Sequence, residues 1–284
     1  VEGKKRYALE YGPLLMAVRG PLTSEGIGDN EPTLVLPLSI DELLGRLVRK
    51  GEKLEFAVKG LDEYDVIPYF DLERNYLQVH ESIPDSDTYM QLAAREGRGI
   101  RILHQDPWEM LVTFIVSQRK SIPAIKNSVE LLASRFGEVK ITPYETLYTF
   151  PTVLQLANAD DQDLVECKLG YRVPYIKDAI TKVMSGRVDL ATISGLSDSE
   201  ILDVLKTIRG VGDKVANCIC LFSYGRIGVA PIDTWIHKII VQEYGGFNPF
   251  PAYGEYAGIM QQFAFYYAIS HKGRFADESG RDIR

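Results

Sequence analysis

The sequence predicts an α+β protein: an N-terminal antiparallel sheet domain over residues 1–85, then a larger all-α domain over 86–284. Two observations carry this. Before residue 85, short apolar runs with strand-like alternation are separated by turn residues; after "SIPDSD" the apolar spacing becomes three and four, with capping residues at the run ends. The composition, 45% apolar and 25% charged over 284 residues, is that of an ordinary globular chain. No run approaches the roughly 18 apolar residues of a membrane helix, and no signal peptide is visible. The expectation is therefore no membrane partner and an intracellular location, cytoplasmic or in a bacterial nucleoid. The chain begins at Val1 rather than Met, so the sheet domain is expected to be truncated at its start.

Taken in order, "RYALEY", "LLMAVRG", "TLVLPLS" and "EFAVKG" read as strands, with "SIDELLGRLVRK" (39–50) as a helix between them. "DPWEMLVTFIVSQ" (106–118) opens a helix with Asp106 as N-cap, Pro107 at the first helical position and Glu109 three residues past the cap. "SIPAIKNSVELLASRFG" (121–137) is a second helix ending at Gly137. "SDSEILDVLKTI" starts with a Ser197/Glu200 capping box. A helix over 213–222 follows, then "DTWIHKIIVQEY" capped by Asp233, then "EYAGIMQQFAFYYAIS".

The stretch "IRGVGDKVANCIC" (208–220) places Gly210-Val211-Gly212 between two helices, a helix–hairpin–helix over about 198–222. Glycines let backbone approach a phosphate, and the second helix offers free N–H groups and the positive end of its dipole. Such a turn holds phosphate without basic side chains, which suits a chain of net charge −7 that cannot form a broadly basic coat. On its own the same turn is equally a tight connection. Lys214 lies four residues before Cys218 and shares its face, beside a core stripe of Val215, Ile219 and Phe222. A lysine there is either a snorkelling side chain or a partly desolvated nucleophile. Asp233 is either a simple cap or a carboxylate brought to that amine. Cys167, Cys218 and Cys220 lack metal spacing, so no metal site is expected and the thiols read as reduced.

"GVGDKVANCICLFSYGRIGVAPIDTWIHK" resembles the helix–hairpin–helix DNA glycosylases with the Gly/Pro…Asp signature. Further stretches resemble their 8-oxoguanine glycosylase branch, in its bacterial form: "YFDLERNY" (69–76), "HQDPWEMLVTFIVSQ" (104–118), "KLGYRVPYI" (168–176) and "GIMQQFAFYYA" (258–268). The resemblance implies a bifunctional enzyme that removes 8-oxoguanine from duplex DNA and cleaves the abasic strand. It places Lys214 at the Schiff-base lysine and Asp233 at the essential aspartate. Gln261, Phe265 and Cys218 fall at base-binding positions. Gln118 and Arg119 fall in the loop filling the gap left by the flipped base, with Tyr171 as wedge and Arg172 facing the orphaned partner base. Gly210, Val211 and Gly212 form the phosphate-binding hairpin. Gln261 offers donor and acceptor for a purine edge, and Phe265, one turn later, stacks on the base.

The same resemblance implies damaged double-stranded DNA as partner and a monomer. It requires no organic cofactor and leaves room for a structural monovalent cation on the hairpin carbonyls; the lack of a C-terminal four-cysteine cluster predicts no iron–sulfur cluster. Three departures stand out. Gln118-Arg119-Lys120-Ser121 replaces an asparagine-rich run, Ala124 stands where a second cytosine-reading arginine is expected, and the glycine-containing N-terminal motif has no counterpart. A glycosylase for another base, such as alkylated purines, a non-catalytic hairpin DNA-binding protein, and an unrelated helical protein remain as alternatives.

Overall fold

Side-chain caps fix where most helices of this chain begin. The computed structural model describes residues 68–71, 73–141 and 146–275, together with the backbone of four earlier strands. Those strands are β1 (Ala17–Arg19), β2 (Thr33–Val35), β3 (Leu44–Lys50) and β4 (Lys53–Val58). Helix α1 (Tyr76–Glu81) starts at Asn75 and α2 (Thr88–Glu96) at Asp87, whose carboxylate accepts the Met90 N–H at 2.9 Å. Strand β5 (Ile100–Ile102) leads to α3 (Pro107–Ser117), where Asp106 Oδ1 accepts the Glu109 N–H at 2.8 Å. Helix α4 (Ile122–Phe136) and the β6 (Val139–Ile141)/β7 (Thr146–Tyr148) ladder follow. Next come α5 (Val153–Ala157), α6 (Asp161–Glu166) and α7 (Val173–Met184). Helix α8 (Asp198–Lys206) carries the Ser197/Glu200 capping box, and α9 (Asp213–Tyr224) follows the glycine turn. Helix α10 (Thr234–Tyr244) is capped by Asp233, and α11 (Ala257–Ser270) completes the described helices.

The expected α+β class is corrected here: the described residues are mainly helical. Among the described residues no single sheet domain spans 1–85, because α1 already lies inside that range and the strands there divide between two sheets, β2, β3 and β4 forming a three-stranded antiparallel one. The remaining strand, β1, pairs with β5 within the helical part. Alternation reports locally extended backbone, whereas the grouping of strands into sheets is decided by non-local neighbours. The helix expected over 39–50 is also corrected, since Leu44–Lys50 is the strand β3, paired with β4 from Gly45↔Val58 to Lys50↔Lys53. Gly45 weakens a helix there, and short apolar runs fit both periods.

Helix α3 is the centre of the core. Every residue from Met110 to Ser117 is buried, and α3 packs on α4, α7 and α9. Phe114 of α3 stacks on Phe222 of α9 at 5.8 Å between ring centroids. Helix α11 is apolar on all sides and packs on α2 and α10. Asp87 ties these layers together: besides capping α2, it accepts the Tyr244 hydroxyl at 3.0 Å and the Tyr253 hydroxyl. Asp87→Ala is expected to lower unfolding stability by about 2–3 kcal/mol, a cap plus hydrogen bonds to a charged acceptor. Asp87→Asn, which retains the cap, should lose less; urea midpoints at constant m-value make the comparison.

Candidate active site

The turn before α9 requires glycine at one position. Gly210 has φ +84°, and a Cβ there would stand 2.4 Å from the Tyr175 ring. Gly212 is extended with open space around it, and Val211 is buried. No side chain caps α9, so its first N–H groups have no capping side-chain partner. Asp178 of α7 steadies the turn, accepting the Arg209 N–H at 2.7 Å and the Lys182 ammonium at 2.8 Å. Burial alone would raise its carboxyl, but these two donors hold it below its ordinary value.

Helices α9, α10 and α11 meet around a cavity of about 10 Å³ lined by Lys214, Cys218, Phe222, Pro231, Asp233, Gln261, Gln262 and Phe265. That is space for roughly one water, so a nucleobase enters only if side chains move. Five of the predicted residues, Lys214, Cys218, Asp233, Gln261 and Phe265, are brought together here. The Lys214 ammonium lies 5.1 Å from the Phe114 ring centroid, in cation–π range. Burial pushes the Cys218 thiol up to about 11; the Lys214 charge pulls against this and Asp233 adds to it. Asp233 Oδ1 accepts the Ile236 N–H at 2.8 Å, so the cap is real. Burial nevertheless raises its carboxyl, with the Ile236 N–H and Lys214 partly offsetting the shift. Cap and charged partner are the same group.

The predicted DNA-facing residues form a second group. Gln118 ends α3, and its Nε2 donates to the Gly210 carbonyl at 3.0 Å. Arg119 is exposed with φ +50°. Tyr171 is 52% exposed, and the Arg172 guanidinium sits 4.3 Å from its ring centroid. Arg172 itself is only 5% exposed and donates to the carbonyls of Gln118 and Leu169.

Sequence reasoning missed Lys120, Phe114, Pro231 and Gln262. Lys120 donates to Ser128 and to the Lys168 carbonyl, and burial, with Arg172 and Lys168, pushes its ammonium down to about 8. For Gln262 a signal existed: it lies in a run apolar on every side, which places even glutamines inside. Among the described residues, no cluster of three or more His, Cys, Asp and Glu could hold a metal, and no helix is long and apolar enough to cross a membrane.

Residues 58–111 match the family described as 8-oxoguanine DNA glycosylase, N-terminal domain. The chain is 31% identical over 242 residues to the N-glycosylase/DNA lyase of Saccharomyces cerevisiae, an alignment covering 78% of this chain and 62% of that protein. It is 32% identical to the Clostridium acetobutylicum 8-oxoguanine glycosylase/lyase solved with duplex DNA containing cytosine opposite 8-oxoguanine, covering 80% of this chain and 82% of that one at a TM-score of 0.73. MBOgg1, solved with a low-affinity DNA ligand, is 38% identical at the same TM-score and coverage. On this shared sequence and fold, the chain belongs to the 8-oxoguanine DNA glycosylase family.

Proposed function

We propose that this protein is a bifunctional 8-oxoguanine DNA glycosylase and abasic-site lyase acting on duplex DNA inside the cell. One observation carries the reading: an amine and a carboxylate, Lys214 and Asp233, share a cavity with a purine-reading amide and an aromatic ring, Gln261 and Phe265. The similarity to lyase-active relatives supports it. The damaged nucleotide leaves the stack, because C1′ is unreachable inside a duplex. The turn at Gly210–Gly212 and the open N–H groups of α9 hold phosphate; Tyr171 wedges the stack, while Gln118, Arg119 and Arg172 line the vacated side.

In the reaction, the free amine of Lys214 attacks C1′ as the C1′–N9 bond breaks, and the base departs with the bonding pair and takes a proton from water. Asp233 stabilises the positive charge developing on the sugar and accepts the proton released from the lysine nitrogen. Asp233 passes that proton to O4′ as the sugar opens to an iminium, and transfer of a C2′ proton to water expels the 3′ phosphate by β-elimination. The sequence of steps uses no organic cofactor. The Gly210 carbonyl accepts Gln118 Nε2, and no step runs through a cation at the hairpin.

Lys214→Gln is expected to abolish the borohydride-trapped protein–DNA adduct while duplex affinity stays within a few-fold. Efficient cross-linking by that variant would assign the nucleophile elsewhere. Asp233→Asn should slow excision at least about 10²-fold. Because burial raises the Asp233 carboxyl, its ionisation lowers stability as pH rises through the unfolded and then the folded pKa. Asparagine keeps the cap without ionising, so the melting temperature at neutral pH should be unchanged or higher. The acid limb of excision by the parent enzyme should lie above the ordinary aspartate value of about 3.9.

A further expectation follows from Ala124. With one arginine reader absent, and a well-placed reader contributing about 1–3 kcal/mol, cytosine preference should shrink by roughly one to two orders of magnitude. Single-turnover excision of 8-oxoguanine opposite adenine, guanine or thymine is expected to approach the rate opposite cytosine. A cytosine preference above about a thousandfold would mean that Arg119 or another group replaces the missing reader.

A further inference from the structure

Gln262 plays no part in the reading above, yet it is 3% exposed and lines the same cavity as Lys214 and Asp233. Its Nε2 donates to Gln261 Oε1 at 2.6 Å. Its own Oε1 is buried without a hydrogen-bond partner. Buried amide oxygens are almost always satisfied, so one left unmet at the wall of a cavity points to a donor that arrives with a ligand. The Gln262–Gln261 bond has a second effect. With one lone pair of its oxygen engaged, Gln261 keeps a second acceptor site and its NH₂ group, and the bond fixes which way that amide is turned, beside the unmet Gln262 oxygen.

Resting on the proposed function, the partner of that pattern is the edge of a guanine-type base, where the O6 acceptor adjoins the N1–H and N2–H donors. An everted base stays tethered through its sugar beside Lys214 and Asp233 and cannot turn over, so the order of the two readers selects the edge. We propose that Gln262 is a second base-reading residue, whose Oε1 accepts from the N1–H/N2–H side of the everted guanine-type base while its Nε2 fixes the orientation of the Gln261 amide. Gln261 alone, free to rotate its amide, would present either group; the adjacent glutamine removes that freedom.

The test is single-turnover excision of 8-oxoguanine compared with strand cleavage at a preformed abasic site, which carries no base to read. Gln262→Leu and the near-isosteric Gln262→Met should slow excision roughly 10- to 100-fold, the scale of one lost reader. Abasic cleavage should stay within about twofold of the parent. Gln262→Glu supplies the distinguishing readout. A protonated carboxyl, favoured by burial, both donates and accepts as the amide does, whereas the ionised form only accepts. Excision by this variant relative to the parent should therefore rise as pH falls, while the ratios for the leucine and methionine variants stay flat. Excision within twofold of the parent in those two variants, an equal loss on both substrates, or a glutamate variant without pH-dependent recovery would each overturn the role of Gln262. A parent enzyme that cleaves abasic DNA but leaves 8-oxoguanine in place would instead defeat the proposed function.

Discussion

Asp233 sits where a helix start, an ammonium group and an apolar interior meet, and the rest of the site depends on that compromise. Burial opposes its charge, while the Ile236 N–H and Lys214 favour it. Neither a wet surface, where the charge would be screened, nor a dry core without donors, where the group would be neutral, provides such a carboxylate. The surrounding helices maintain the balance: α3 offers the Phe114 ring to the Lys214 ammonium, α9 carries the lysine, and α10 donates its first N–H groups. A helix N-terminus thus serves as both structural start and electrostatic anchor, so the group's two roles share one geometry.

Much of this was legible in the sequence because the relevant signals are local. Asp106, Ser197 and Asp233 cap their helices through bonds spanning three residues, and the Gly210 turn is written in its residues. Lys214 and Cys218 share a face simply through helical spacing. What the sequence left hidden depends on partners far along the chain. Arg172, expected to face the orphaned base, has its guanidinium tied to the Gln118 carbonyl, 54 residues away, a contact no local spacing shows. Gln262 is buried by the apolar run around it, but its bond to Gln261 inside the cavity shows only once α11 meets α9. The strand-like alternation before residue 85 conveyed extended backbone but not that the described strands divide between two sheets, because pairing is decided by non-local neighbours.

The cavity has room for about one water and is partly open to the surface, and this small size bears on how the chemistry is restrained. Phe265 and Gln261 are buried against the α9 side chains, so admitting a base means displacing packed groups. The interior surrenders dispersion contacts as it opens and regains them only against a flat ring of suitable shape. A molecule that fits poorly leaves those contacts unmade. Shape is therefore tested before any hydrogen bond is compared.

Gln118 is restrained at both ends: its carbonyl by Arg172 and its side-chain amide by the Gly210 carbonyl. The exposed Tyr171 and the glycine turn therefore stand at a set separation, braced by the loop between α3 and α4. Under the proposed function, a duplex spanning both must conform to that gauge, and the elastic work of bending falls on the DNA. Stiff adenine tracts resist such deformation, whereas pyrimidine–purine steps yield to it. The flexibility of base pairs flanking a lesion, untouched by any side chain, then becomes a determinant of which lesions are processed first.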